Sequence, residues 1–249
     1  TNKGTINGNG VGVVGIAADN STAENSSGAT INLISNKSTG IFGKAKSIVT
    51  NAGTIELKTA SPTSTSEGLV GIALNDSTGT NTSSGQIKLG TAYSTGMFGE
   101  NNSTLTNEGS ITGDKASAVG MAGKATTVTN KKTITLSAKK STGIFGEDNS
   151  TLLNDTNGNI TVKEESSVGI YSKGNNKIAE NKGIILAEKK KSAGMLGSEG
   201  KLENSNSITT QDEESAGMYV EHSKATNKKT ILIEGKASAG YCWNHSDDW

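Results

Sequence analysis

The side chains able to do chemistry are few and scattered. The densest acidic run is Asp212, Glu213 and Glu214, with Glu164 and Glu165 upstream. Two carboxylates facing each other across a groove are what glycoside hydrolysis needs. Lys189, Lys190 and Lys191 fall between the two runs, however, and point to ion pairing instead. The chain has only two histidines, His222 and His245. They fall at equivalent points of the pattern described below, but only Asp247 or Asp248 offers a further ligand, short of a metal set. The one cysteine, Cys242, permits no internal disulfide, and pairing it with His245 as a nucleophile rests on spacing alone. The glycine-rich Gly8–Gly12 stretch precedes strand-like sequence, so a phosphate-binding reading fails on context. No catalytic residue, cofactor motif or metal site emerges, and the expectation is a protein that is not an enzyme.

Composition narrows the classes further. Lys and acidic residues balance at 24 each, and every cationic side chain is Lys. A neutral chain without Arg has no basic surface for nucleic acid and no bidentate anion clamp. Only 31% of the residues are hydrophobic and 4% aromatic, while Gly numbers 32. Such a chain must either stay disordered or stack small polar residues in strict repetition.

Repetition is what the sequence shows. An Asn recurs at 2, 25, 51, 81, 107, 130, 154, 181, 204 and 227, every 23 to 30 residues. An Ile follows four or six residues later, from Ile6 to Ile231, and a Gly nine beyond that, from Gly15 to Gly240. Only one unit breaks the second spacing. There the interval is sixteen, and the extra residues, 59–65, contain the sole proline, Pro62. The fullest form of the motif is STGIFG at Ser38–Gly43, returning as STGMFG at Ser94–Gly99 and as STGIFG at Ser141–Gly146.

Within a unit the apolar period is two, as in a strand with one buried face. Three short strands per unit, ten times over, predict a right-handed, single-stranded parallel β-helix of about ten coils spanning residues 1–249. Stacked coils would stand about 4.8 Å apart. The recurring Asn shares parity with the buried residue two before it, so it is placed inward, bonding along its own column. The Gly is placed where chains approach closely or where the backbone takes an unusual angle. Lys139, Glu165, Lys190, Glu213 and Lys236 are expected to stack with alternating sign on the surface.

One column carries a functional candidate. Two residues after each Gly stand Ala17, Phe42, Ala73, Phe98, Ala122, Phe145, Tyr171, Leu196 and Tyr219. Strand parity points these outward, where rings could stack on sugars or pack a partner. The competing reading, which is given the greater weight, bends the chain there and tucks the rings into the core edge. Phe42, Phe98, Phe145, Tyr171 and Tyr219, with Pro62 on the inserted loop, are the candidate binding surface.

The Asn-x-Gly-x-Ile and Ser-Thr-Gly-Ile-Phe-Gly phrases, in Lys- and Asn-rich coils without Arg, resemble the passenger region of large fusobacterial autotransporter adhesins. The resemblance covers Asn2 to Ser246. It implies a type V secreted protein of the outer membrane and cell surface, anchored by a C-terminal β-barrel outside this chain. The implied partner is a protein or glycan receptor on host cells or other bacteria. It transfers no binding residue. Two alternatives stay open: a structural stalk holding a distal binding domain, and a β-helical polysaccharide-degrading enzyme.

Overall fold

The computed structural model describes residues 1–58 and 68–244, with side chains through Cys242. Pro62 and the 59–65 insertion lie outside the described residues, as does His245. The described residues form 27 strands and no helix. The first coil sets the pattern: β1 (Thr5–Gly8), β2 (Val14–Asp19) and β3 (Thr22–Asn25). Each strand pairs in parallel with its counterpart one coil on. The counterparts of β1 make a ten-stranded sheet, and those of β2 and β3 make a seventeen-stranded one. In two late coils the second and third strands run together, as Ala193–Asn204 and Ala216–Asn227. The result is the expected parallel β-helix, with nine full turns.

Register follows residue identity. Ile6 pairs with Ile31, and the Ile column continues unbroken to Ile231. A second apolar column runs Ile16, Ile41, Ile72, Met97, Met121, Ile144, Ile170, Met195, Met218. The third includes Val49, Leu105, Val128, Leu152 and Leu202. These columns form one continuous apolar core. A parallel solenoid brings the same side chain to the same place in every coil, so one choice of residue is made ten times.

The bends are held by polar ladders. At the bend after the third strand, each Asn donates its Nδ2–H to the Oδ1 of the Asn one coil on. Nine such bonds of 2.8–2.9 Å link Asn2 to Asn227. Asn25 through Asn204 are fully buried, so the ladder satisfies amides that would each be costly unpaired. The inward placement of this Asn is therefore observed.

The other two bends carry ladders that the sequence did not announce. Before the second strand, Ser141 N–H donates to Ser167 Oγ at 3.2 Å, and Ser167 N–H donates to Ser192 Oγ at 3.3 Å. Before the third strand, Ser47 N–H donates to Ser77 Oγ at 3.0 Å and Ser77 N–H to Ser103 Oγ at 3.3 Å. Several of these hydroxyls also donate to a carbonyl three residues back, as Ser103 does to Glu100 at 2.6 Å. A buried hydroxyl that both donates and accepts leaves little unpaid at a turn, where strand pairing is interrupted.

The recurring Gly serves close approach, not an unusual angle. A Cβ on Gly96 would stand 2.5 Å from the Gly120 carbonyl oxygen and 2.9 Å from Ile111 Cγ2. Left-handed φ falls three residues earlier, on Lys37 (56°), Tyr93 (55°), Lys140 (59°) and Glu214 (55°), none of them Gly. Both the Gly and the Ile or Met after it are buried. The alternation is thereby shifted, and the residue before the Gly faces out: Val14 is 44% exposed.

Candidate functional site

The shifted alternation decides where the rings go. Along the Thr39–Lys44 strand, Ile41 and Gly43 are buried while Phe42 between them is partly exposed. Phe98, Phe145, Tyr171 and Tyr219 sit identically in their strands. None belongs to the core. The reading that tucks these rings into the core edge is corrected: no bend occurs at this residue, so ordinary strand parity turns it outward. Among the described residues, no aromatic side chain is in the core at all. All three Phe of the chain stand in this single outer column.

The column is continuous in register: Ala17, Phe42, Ala73, Phe98, Ala122, Phe145, Tyr171, Leu196, Tyr219, Cys242. Ala122, between Phe98 and Phe145, is only 7% exposed although it occupies an outward position. Phe145 and Tyr171, in adjacent coils, have ring centroids 5.4 Å apart at 59°, a tilted pair. Cys242 ends the column as a partly exposed thiol, as its place in the repeat predicts.

Charges flank the rings two residues on, a position the sequence reading passed over. They form an alternating row in which Lys44 meets Asp19 at 2.9 Å and Lys173 meets Glu147 at 3.1 Å. Asn75 donates to Glu100 at 2.7 Å. Lys173 is held above its usual pKa, first by the hydrogen bond to Glu147 and then by that carboxylate's charge. The signal was available: opposite charges at the same step of successive units pair across coils.

The expected surface charge stack is found in part. Lys139 binds Glu165 at 3.0 Å and Lys190 approaches it at 3.9 Å. The hydrogen bond from Lys139, then its charge, pushes Glu165 below the ordinary carboxylate range. Glu214 pairs with Lys191 at 3.4 Å, and Asp212 accepts from the Glu213 backbone N–H. Glu203 is also lowered, by Lys228 and then Ser205. These shifts keep carboxylates ionised, the reverse of what a general acid requires.

His222 lines a surface dent with Asn175, Asn176, Gly200, Lys201 and Lys224, at a left-handed φ of 48°. Among the described residues, no three His, Cys, Asp or Glu side chains gather around a common point. The expected stacking of His222 on His245 and the proposed role of Pro62 concern residues outside the description.

The family model described as BigA third pectate lyase-like domain matches residues 1–158. No curated protein and no solved structure matches the chain.

Proposed function

The chain belongs to the family of the BigA third pectate lyase-like domain, and from that footing we propose that it is a non-enzymatic adhesin passenger segment displayed at the cell surface. Family membership supports a passenger-like, β-helical region exposed outside the cell. Attachment to host cells or other bacteria, the type V route and the fusobacterial likeness are the finer parts of the proposal.

One observation carries the adhesive reading. Among the described residues no ring lies in the core, and five of them, Phe42, Phe98, Phe145, Tyr171 and Tyr219, line up on an outer sheet face. Exposed apolar rows on soluble proteins mark contact surfaces. The non-enzymatic reading is supported by Glu165, Glu214 and Glu203, whose carboxylates are engaged by Lys139, Lys191 and Lys228. The stalk reading also has support, because the unbroken Asn ladder stiffens every coil against its neighbours.

Binding of the purified segment to epithelial cells and to bacteria tests the proposal. Adhesion that falls when Phe42, Phe98, Phe145, Tyr171 and Tyr219 are all replaced by Ala supports it. No adhesion by the folded segment, with adhesion by the full-length protein, supports the stalk instead. Release of unsaturated or reducing ends from a polysaccharide would restore the enzyme reading.

A further inference from the structure

The ring column has a two-coil period that a mere apolar patch does not need. In the first six coils it runs Ala17, Phe42, Ala73, Phe98, Ala122, Phe145. The outward column three residues earlier alternates in step: Val14, Thr39, Val70, Thr95, Val119, Thr142. In these six coils each ring goes with a Thr and each Ala with a Val; the later rings, Tyr171 and Tyr219, go instead with Val168 and Ala216. Tyr171 then adds a ring one coil after Phe145, and Tyr219 another two coils beyond that.

Phe42, Phe98 and Phe145 therefore recur roughly every 9.6 Å along the axis, two coil spacings. That is close to the advance of one disaccharide in an extended β-1,4-linked pyranose chain. In such a chain successive sugars are turned over, so every second one presents the same C–H face to a surface below. The C–H face of a sugar carries slight positive charge and an aromatic face slight negative charge, which makes stacking attractive. A Thr facing out three residues before each of Phe42, Phe98 and Phe145 offers a hydroxyl on the same face for hydrogen bonds with the sugar.

Charge selects among such chains. The row flanking the rings reads Asp19, Lys44, Asn75, Glu100, Lys124, Glu147 and Lys173, three acids against three lysines. Asp19 is taken by Lys44, Glu100 by Asn75 and Glu147 by Lys173. A self-neutralised border offers hydrogen bonds but no net attraction to a polyanion or polycation.

Resting on the adhesin reading, we infer that this face binds a neutral, extended β-1,4-linked glycan lying along the solenoid axis, with alternate sugars on Phe42, Phe98 and Phe145. The test is calorimetric titration of the segment with cellohexaose and with chitohexaose. The comparators are maltohexaose, whose α-linkages curl the chain, and the glucosamine hexasaccharide, which has the same linkage but is cationic. Binding of a neutral β-1,4 hexasaccharide in preference to both comparators supports the inference. So does a loss of about fivefold to tenfold in affinity with Phe98→Leu, which keeps an apolar side chain there but has no ring face. A melting temperature for Phe98→Leu close to the parent's keeps that loss interpretable. If Phe98→Leu unfolds, Thr95→Val, which removes only the hydroxyl, serves instead and is expected to weaken binding. Failure of both neutral hexasaccharides to bind overturns the inference, as does equal or tighter binding of either comparator. The two readings separate cleanly: a segment that adheres to cells but ignores both neutral hexasaccharides leaves the adhesin reading standing without this ligand. One that binds them without adhering to cells leaves the ligand standing without adhesion.

Discussion

Replacing Asn107, in the middle of the ladder, should cost more than its size suggests. Its Nδ2–H donates to Asn130 Oδ1 at 2.8 Å, and its Oδ1 accepts from Asn81 Nδ2 at 2.8 Å. Asn107→Ala removes both, along with a longer bond from Nδ2 to the Thr133 carbonyl at 3.4 Å that adds little. Asn81 keeps weaker bonds to the Gly85 and Ser110 carbonyls, at 3.3 and 3.4 Å. Asn130 Oδ1 keeps only a marginal contact from Lys132 N–H at 3.5 Å and is left buried. Two lost bonds at about 1 kcal/mol each, with one poorly satisfied acceptor at about 1–2 kcal/mol, give about 3–4 kcal/mol. Asn107→Asp sharpens the test, because the introduced carboxylate can accept from Asn81 but opposes Asn130 Oδ1. Protonated, it donates to that oxygen and rebuilds the ladder. Its folded-state pKa is thus raised above the unfolded value of about 3.9. The folded state then binds more protons, so stability falls as pH rises through that window and recovers below it. Urea unfolding read by circular dichroism from pH 3 to 8, with hydrogen exchange of the neighbouring coils, measures both effects. Asn157→Ala, at an exposed turn position without left-handed φ, is the control. A loss under about 1 kcal/mol for Asn107→Ala, or a pH-independent Asn107→Asp, would refute the ladder's energetic role.

Two further outcomes follow from contacts between coils. Gly96→Ala should destabilise by about 2–3 kcal/mol, because its new Cβ meets the Gly120 carbonyl oxygen at 2.5 Å and backbone must move; a neutral result in thermal melts would contradict the close-approach account. Glu165 should titrate below ordinary glutamates in carboxyl NMR, and Lys139→Met should move it back up. The stability this pair contributes is present above the unfolded glutamate pKa and is lost as pH falls through the lowered folded value; an unshifted Glu165 would sink the assignment.

The repeat alone determined the architecture. Ten in-phase copies of Asn, Ile and Gly permit little besides coils stacked in register, because each identity column satisfies itself only when superposed. The inward Asn was legible for the same reason: its parity matches Leu105 and Val128, and an amide can both donate to and accept from its own kind. Other features were not legible. Whether Gly96 serves an angle or an approach depends on backbone dihedrals, and left-handed φ went to Lys37 and Tyr93 instead. The direction of Phe98 hung on that same bend, since one extra inward residue decides which way every later side chain in the strand points. The serine ladders escaped because Ser47 and Ser141 look like ordinary turn residues until the next coil supplies the hydroxyl to which each backbone N–H donates. Parity along one strand is a local property, readable in order; contact between coils some 25 residues apart depends on how each corner turns, and only the folded chain fixes that.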